Sequence, residues 1–234
     1  MGADEFTPVP SSTLAASAGG GQVCSNIAIS GAGTIYRDAS CNTIAGILPN
    51  GGSPVSGLVN TCVTIDATVQ SYGGNVYVQR HFDITPAVNQ TTATARITLY
   101  VLQSEFDSYN VANGIQSDLP TGSGDATGIA NLRITKYSGN GTLPGTYSPG
   151  VATFINPADA DIVWDVLNNW WTISFDITGF SGFFIHTGSG VLPVSILPLQ
   201  RIQRWQPQPT TLDNRQRTKQ QWFRNAAFCG WCKL

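Results

Sequence analysis

Charge is scarce in this sequence. Only 11% of its 234 residues are Asp, Glu, Lys or Arg, less than half the share of an ordinary soluble domain. Histidine occurs twice and methionine once. A metal site built on His81 and His186 therefore needs a third ligand of another kind. No apolar run reaches the length of a transmembrane helix; the longest are strand-sized. The opening "MGADEF" lacks both the basic n-region and the apolar h-region of a signal peptide. Phosphate-loop and dinucleotide fingerprints are missing. "GFSGF" (179–183) misses G-x-S-x-G by one place and lies among strand-like runs, so Ser181 is not at a nucleophile elbow.

Turn formers and β-branched residues fill the space that charge leaves. The chain holds 25 Gly and 13 Pro, and short apolar runs recur between Gly, Pro, Asn, Asp and Ser clusters. Ten of these have strand length and composition, among them "LVNTCVTID", "VYVQRHFDI", "ATARITLYVL", "ANLRITKY", "WWTISFDI" and "GFFIHT". Alternation is clearest in two. Ala95, Ile97, Leu99 and Val101 interleave with Thr94, Arg96, Thr98 and Tyr100; Trp171, Ile173, Phe175 and Ile177 interleave with Thr172, Ser174, Asp176 and Thr178. One helix is expected in "SEFDSYNVANG", capped by Ser104 and ended by Gly114. The expected fold is all-β: an antiparallel β-sandwich, jelly-roll-like, with about ten strands and little helix.

The net charge of −2 conceals an asymmetry. Residues 1–196 carry five basic residues (Arg37, Arg80, Arg96, Arg133 and Lys136) against every acid except Asp213. The last 38 residues carry the other seven basic ones. A basic tail by itself suggests an anionic partner, but the acidic body gives nucleic acid no support. Residues 1–21 read as an expression leader and a Pro/Ser/Gly linker, with "EF" and the final "KL" matching common cloning-site codons. The expectation is thus a recombinant fragment of a longer secreted chain, with its β-module at 22–197.

Three cysteines lie in the body, Cys24, Cys41 and Cys62, and two in the tail as C-G-W-C. In a secreted module the expected disulfide is Cys24–Cys41, with Cys62 a buried thiol.

Several long stretches carry a resemblance: "YVQRHFDITP" (77–86), "ITLYVLQSEFDSYN" (97–110), "GDATGIANLRITKYSGNGTLPGTY" (124–147), "WWTISFDITGFSGFFIHTG" (170–188) and "LPVSIL" (192–197). Together they resemble the C-terminal β-rich module of large Bacteroidota secreted proteins, where an L-P-V-[ST] junction leads into the sorting domain of the type IX secretion system. The resemblance implies a secreted or cell-surface location and says little about chemistry. It also explains the tail. Read one base out of register, residues 202–231 admit codons that spell the sequence expected after that junction. Residues 198–234 are therefore expected to be an out-of-frame translation that begins near Leu197.

Few constellations can carry chemistry. His81 and Asp83 sit at i and i+2 of one strand and share a face, so they suit a general base or a metal site as well as a polar surface pair. Carboxylates cluster as Glu105/Asp107 and as Asp159/Asp161/Asp165, with a candidate Ca²⁺ site at Asp159 and Asp161. Tyr137, Tyr147, Trp164, Trp170 and Trp171 suit a sugar-stacking platform; Trp170 and Trp171 must face opposite ways, which leaves one for solvent. The function expected is a non-catalytic extracellular module serving as stalk, adhesion or glycan-contact unit, with polysaccharide or cell-surface glycan as partner. The alternative is a hydrolase of an ester, lactone or glycoside, using His81, Asp83, Glu105, Asp107 and His186, with Ca²⁺ as a possible cofactor.

Overall fold

The computed structural model describes residues 13–15 and 21–188. The leader, most of the linker and the stretch 189–234, with its expected frameshift and C-G-W-C pair, lie outside the described residues. Thirteen strands and two short helices follow in order. They are β1 (Gln22–Ala28), β2 (Thr34–Arg37), β3 (Thr43–Pro49), β4 (Leu58–Ile65), β5 (Gln70–Tyr72), β6 (Asn75–Tyr77), β7 (Arg80–Pro86) and β8 (Thr94–Val101). Then come α1 (Gln103–Ala112), α2 (Ala126–Asn131), β9 (Arg133–Asn140), β10 (Ser148–Ile155), β11 (Ile162–Asp165), β12 (Trp170–Thr178) and β13 (Ser181–His186). A single 3-10 turn, Asp159–Asp161, precedes β11.

Two antiparallel sheets form the sandwich. One has the order β1-β4-β7-β13-β9-β10, the other β11-β12-β8-β3-β2; β5 and β6 make a separate hairpin. The alternation in β8 and β12 sets the packing. Their register brings Leu99 opposite Ile173 and Ile97 opposite Phe175. These side chains meet Val63, Phe82, Ile84, Phe183 and Ile185 of the facing sheet in one continuous core. A one-residue slip would turn every one of them outward, so burial fixes the register.

Strand β3 has no counterpart among the ten expected runs. Gly46 interrupts "TIAGILP" and weakens its strand signature. The glycine is there for clearance: a Cβ would stand 3.2 Å from the Tyr100 hydroxyl and 3.4 Å from Thr98 Cβ. Strand β5 is also new, and the expected run "VYVQRHFDI" divides into β6 and β7; β5 and β6 form a hairpin through Gly73 and Gly74, both at positive φ, a conformation suited to a two-residue hairpin turn.

Helix α1 forms where expected but is capped differently. Its first turn is stabilised by Glu105, whose Oε2 accepts from the Leu102 N–H at 2.9 Å; Ser104 lies inside the helix. Gly114, at φ +68, ends it. Phe106 and Tyr109 face the core. Helix α2 is capped by Asp125, which accepts from Gly128 N–H at 2.9 Å. Among the described residues no helix is long and apolar enough to cross a membrane.

The disulfide is a correction. Cys24 pairs with Cys62, and Cys41 is a free, exposed thiol. Strands β1 and β4 place Cys24 directly opposite Cys62, so both sulfurs project from the same outer face. Cys41 sits in the turn after β2, at φ +67. Adjacency in the sheet decides the pairing.

Candidate functional site

Period two sorts the six-stranded sheet into an apolar inner face and an unusual outer one. Phe82, Ile84, Phe183, Ile185 and Ile134 point inward. Their neighbours His81, Asp83, Phe184, His186, Thr135 and Tyr137 therefore point outward. Register aligns them in rows: Thr64, His81, Phe184 and Thr135 run across four strands, and Cys62, Asp83, Gly182 and Tyr137 form the next row.

Phe184 is the hub of this face. His81 stacks on it at 4.9 Å between centroids, with 19° between planes. Tyr77, Tyr137 and Tyr147 meet it edge-on at 5.3, 5.6 and 5.9 Å. Tyr147 reaches the hub from the loop before β10, crossing above Gly182. A Cβ at Gly182 would lie 2.1 Å from the Tyr147 hydroxyl, so only glycine admits this path. The hydroxyl ends on Asp83 Oδ1, while Gln22 Nε2 donates to Oδ2 at 3.3 Å.

The titratable groups are shifted by burial. Desolvation pushes the Asp83 carboxyl up to about 6, with the Tyr147 bond pulling the other way. The Tyr147 phenol is raised by desolvation and by the Asp83 charge. His81 is lowered to about 4 by desolvation, so it is neutral at physiological pH. Its Nε2 is 3.5 Å from Asp66 Oδ2, too long for a hydrogen bond. His186 is also lowered to about 4, by desolvation first and by the Arg133 charge second. Its Nε2 lies 2.7 Å from Thr135 Oγ1.

A groove opens beside the hub, between the β5–β6 hairpin and the 141–147 loop. Phe184, Thr135 and His186 line it together with Asn75, Val76 and Tyr77 on one side and Tyr72, Tyr137 and Pro144 on the other. Tyr72 is 47% exposed. It meets Tyr137 at 81°, with centroids 6.2 Å apart, so the two rings form a right-angled corner at the mouth. Tyr147 backs Tyr137 in a near-parallel stack at 5.8 Å.

The candidates named from sequence do not converge. His81, Asp83 and His186 share the outer face. Glu105 is inside, where Arg80 Nε contacts both its oxygens at 2.9 and 3.0 Å. Asp107 is exposed on α1 and accepts from Gln103. The five residues of the hydrolase alternative therefore fall in three places: the outer face, the interior and the exposed side of α1. Asp161 pairs with the Arg96 guanidinium at 2.5 Å, so the nearest counter-ion for that carboxylate is a side chain. Among the described residues no group of three or more His, Cys, Asp or Glu is arranged to hold a metal.

Trp170 and Trp171 face opposite ways, but neither reaches solvent. Trp171 is in the core against Phe106, with Nε1 donating to Gln103 Oε1 at 2.8 Å. Trp170 is 1% exposed and packs on Tyr100. Both belong to the five-stranded sheet, away from the groove. Tyr72, Asn75, Tyr77, Thr135 and Phe184 are among the groove residues that sequence reasoning missed. The signal was present in "SYGGNVY", a Gly-Gly turn flanked by aromatic residues.

No protein-family model matches the chain, and no curated protein or solved structure is significantly similar to it. The reading of function therefore rests on geometry.

Proposed function

We propose that this chain is a non-catalytic, secreted or cell-surface β-sandwich module that contacts glycan through the groove beside Phe184. The observation that carries the reading is the corner of Tyr72 and Tyr137 above a polar floor. Sugar rings present C–H faces that pack on aromatic rings, and their hydroxyls need hydrogen-bond partners at the edge. Tyr72 and Tyr137 supply the first; Asn75, beside them in the groove, supplies the second. The resemblance to modules that precede type IX sorting domains supports the same location. The separation of Glu105 and Asp107 from His81, Asp83 and His186 argues for contact over turnover, since general acid–base work needs its groups within reach of one substrate atom.

The test is affinity chromatography of the full chain on insoluble neutral polysaccharides, alongside a chromogenic ester, lactone and glycoside panel. Retention without turnover is expected. Turnover that disappears in His81→Ala would replace this reading with the hydrolase.

A further inference from the structure

Thr13, Leu14 and Ala15 lie in the Pro/Ser/Gly stretch before β1, yet they are bound as a strand. Ala15 is 0% exposed and belongs to the core. Its N–H donates to Thr43 O, and the Thr43 N–H donates to Thr13 O, both at 2.8 Å. Leu14 thereby bridges in parallel to the first residue of β3. The place is open because β8 pairs with β3 only from Ala45 onward, while Arg37 of β2 takes the other edge of Thr43.

The segment also reaches the opposite sheet. Ala15 O accepts from Arg80 Nη1 at 2.7 Å. Arg80 belongs to β7 of the six-stranded sheet and is 1% exposed. Its Nε holds Glu105 of α1. Three residues thus join β3, β7 and the ion pair that anchors α1.

Main chain does the holding. Three hydrogen bonds use N–H and C=O groups of Thr13 and Ala15, and one methyl group enters the core. Thr13 is exposed and Leu14 half-buried. A sheet edge recognises an extended peptide in this way, with main-chain bonds for affinity and a pocket under alternate side chains for specificity. Close packing around Ala15 limits that pocket to a small side chain. The five residues that follow, 16–20, are Ala, Ser and Gly alone, and supply no larger side chain as an anchor.

We infer that the start of β3, with Arg80, is a strand-addition site for an extended peptide. The chain fills it with its own Thr13–Ala15, and the site selects a small side chain at the position of Ala15.

Cutting the tether tests this. A protease recognition sequence is placed within residues 16–20 of the full chain and cleaved after folding. The freed segment should co-elute with the body in gel filtration. A labelled peptide spanning residues 11–17 should then replace it, at one per chain. The melting temperature of the cleaved protein should rise with free peptide concentration, because the peptide binds the folded state. A peptide carrying Ala15→Leu should bind at least tenfold more weakly, since the added atoms overpack the core; one carrying Thr13→Ser should bind within about threefold of the natural peptide. The uncut chain carrying Ala15→Leu should melt below wild type, and this keeps the test valid if the cleavable chain does not fold. A segment lost on cleavage with no change in melting temperature would overturn the site. So would a segment that stays but never exchanges with peptide, an Ala15→Leu peptide that binds as well as the natural one, or an uncut Ala15→Leu chain that melts as wild type.

Discussion

Asp83 shows what one residue does on this face. Its carboxyl is half-buried beside an aromatic hub, and desolvation pushes it up to about 6. The folded state therefore binds a proton more tightly than the unfolded chain. That destabilises the fold above pH 6, and the cost fades as pH falls towards the ordinary carboxyl value. His81 and His186 act in the opposite sense. Both are lowered to about 4, so the stability they retain above about pH 6.5 is lost as pH falls to 4. The two effects oppose each other over one window. Asp83→Asn keeps an acceptor for Tyr147 and removes the buried charge. It should raise the melting temperature at pH 7.5, by the equivalent of about 1–2 kcal/mol, and lose the advantage by pH 4. Thermal denaturation at both pH values checks this; an advantage independent of pH would contradict it. Gly182→Ala is a second residue-scale case. Its Cβ would collide with Tyr147, so the ring must leave Asp83 and the hub, at about 1–3 kcal/mol. Urea denaturation should show the loss, and an unchanged midpoint would count against the Tyr147 path.

The elements divide into those whose period is visible and those hidden by a single residue. Strands β8 and β12 are legible because eight or nine residues alternate without interruption. Strand β3 is not, because Gly46 exists to let Tyr100 approach, and a contact with a distant strand leaves no local trace. The hairpin β5–β6 is legible in retrospect from Gly73-Gly74 but is too short to stand out by periodicity. The same limit applies to the site. Tyr137 could be singled out as an aromatic residue on a strand, whereas Phe184, Thr135 and Tyr72 become neighbours only through the β7-β13-β9 register and the hairpin above it. Glu105 illustrates the converse. It stood out as a carboxylate, yet it pairs with Arg80, which is 1% exposed, and caps α1 as well. Removing it leaves a buried guanidinium without a counter-ion, held only by the Nη1 bond to Ala15 O. Glu105→Ala should cost about 3–5 kcal/mol, whereas Asp107→Ala, on the exposed side of α1, should stay within about 0.5 kcal/mol. Equal losses in the two variants would contradict a structural role for Glu105.

At the scale of the molecule, the outer face of the six-stranded sheet is held by three devices: the Phe184 hub, the Tyr147–Asp83 bond and the Cys24–Cys62 disulfide. The disulfide spans 38 residues, for which loop closure contributes about 3–4 kcal/mol. Thermal denaturation with and without reductant should show a clear drop on reduction in the wild type. Cys41→Ser should behave as wild type in both conditions, and a Cys41→Ser protein insensitive to reductant would contradict the Cys24–Cys62 pairing. Alternation, turn chemistry and low charge made the sandwich legible in the sequence, because they act locally. The pairing of cysteines and the groove were not, because both depend on which strands become neighbours.

The most direct test of the central claim is retention of the full chain on insoluble neutral polysaccharides, compared with Tyr72→Ala and Tyr137→Ala in the same buffer. Retention of the wild type, at least tenfold weaker in both variants and unaccompanied by hydrolysis of the matrix, is the predicted result. Wild-type protein that flows through every column, or variants retained as strongly as wild type, would contradict glycan contact at the groove beside Phe184.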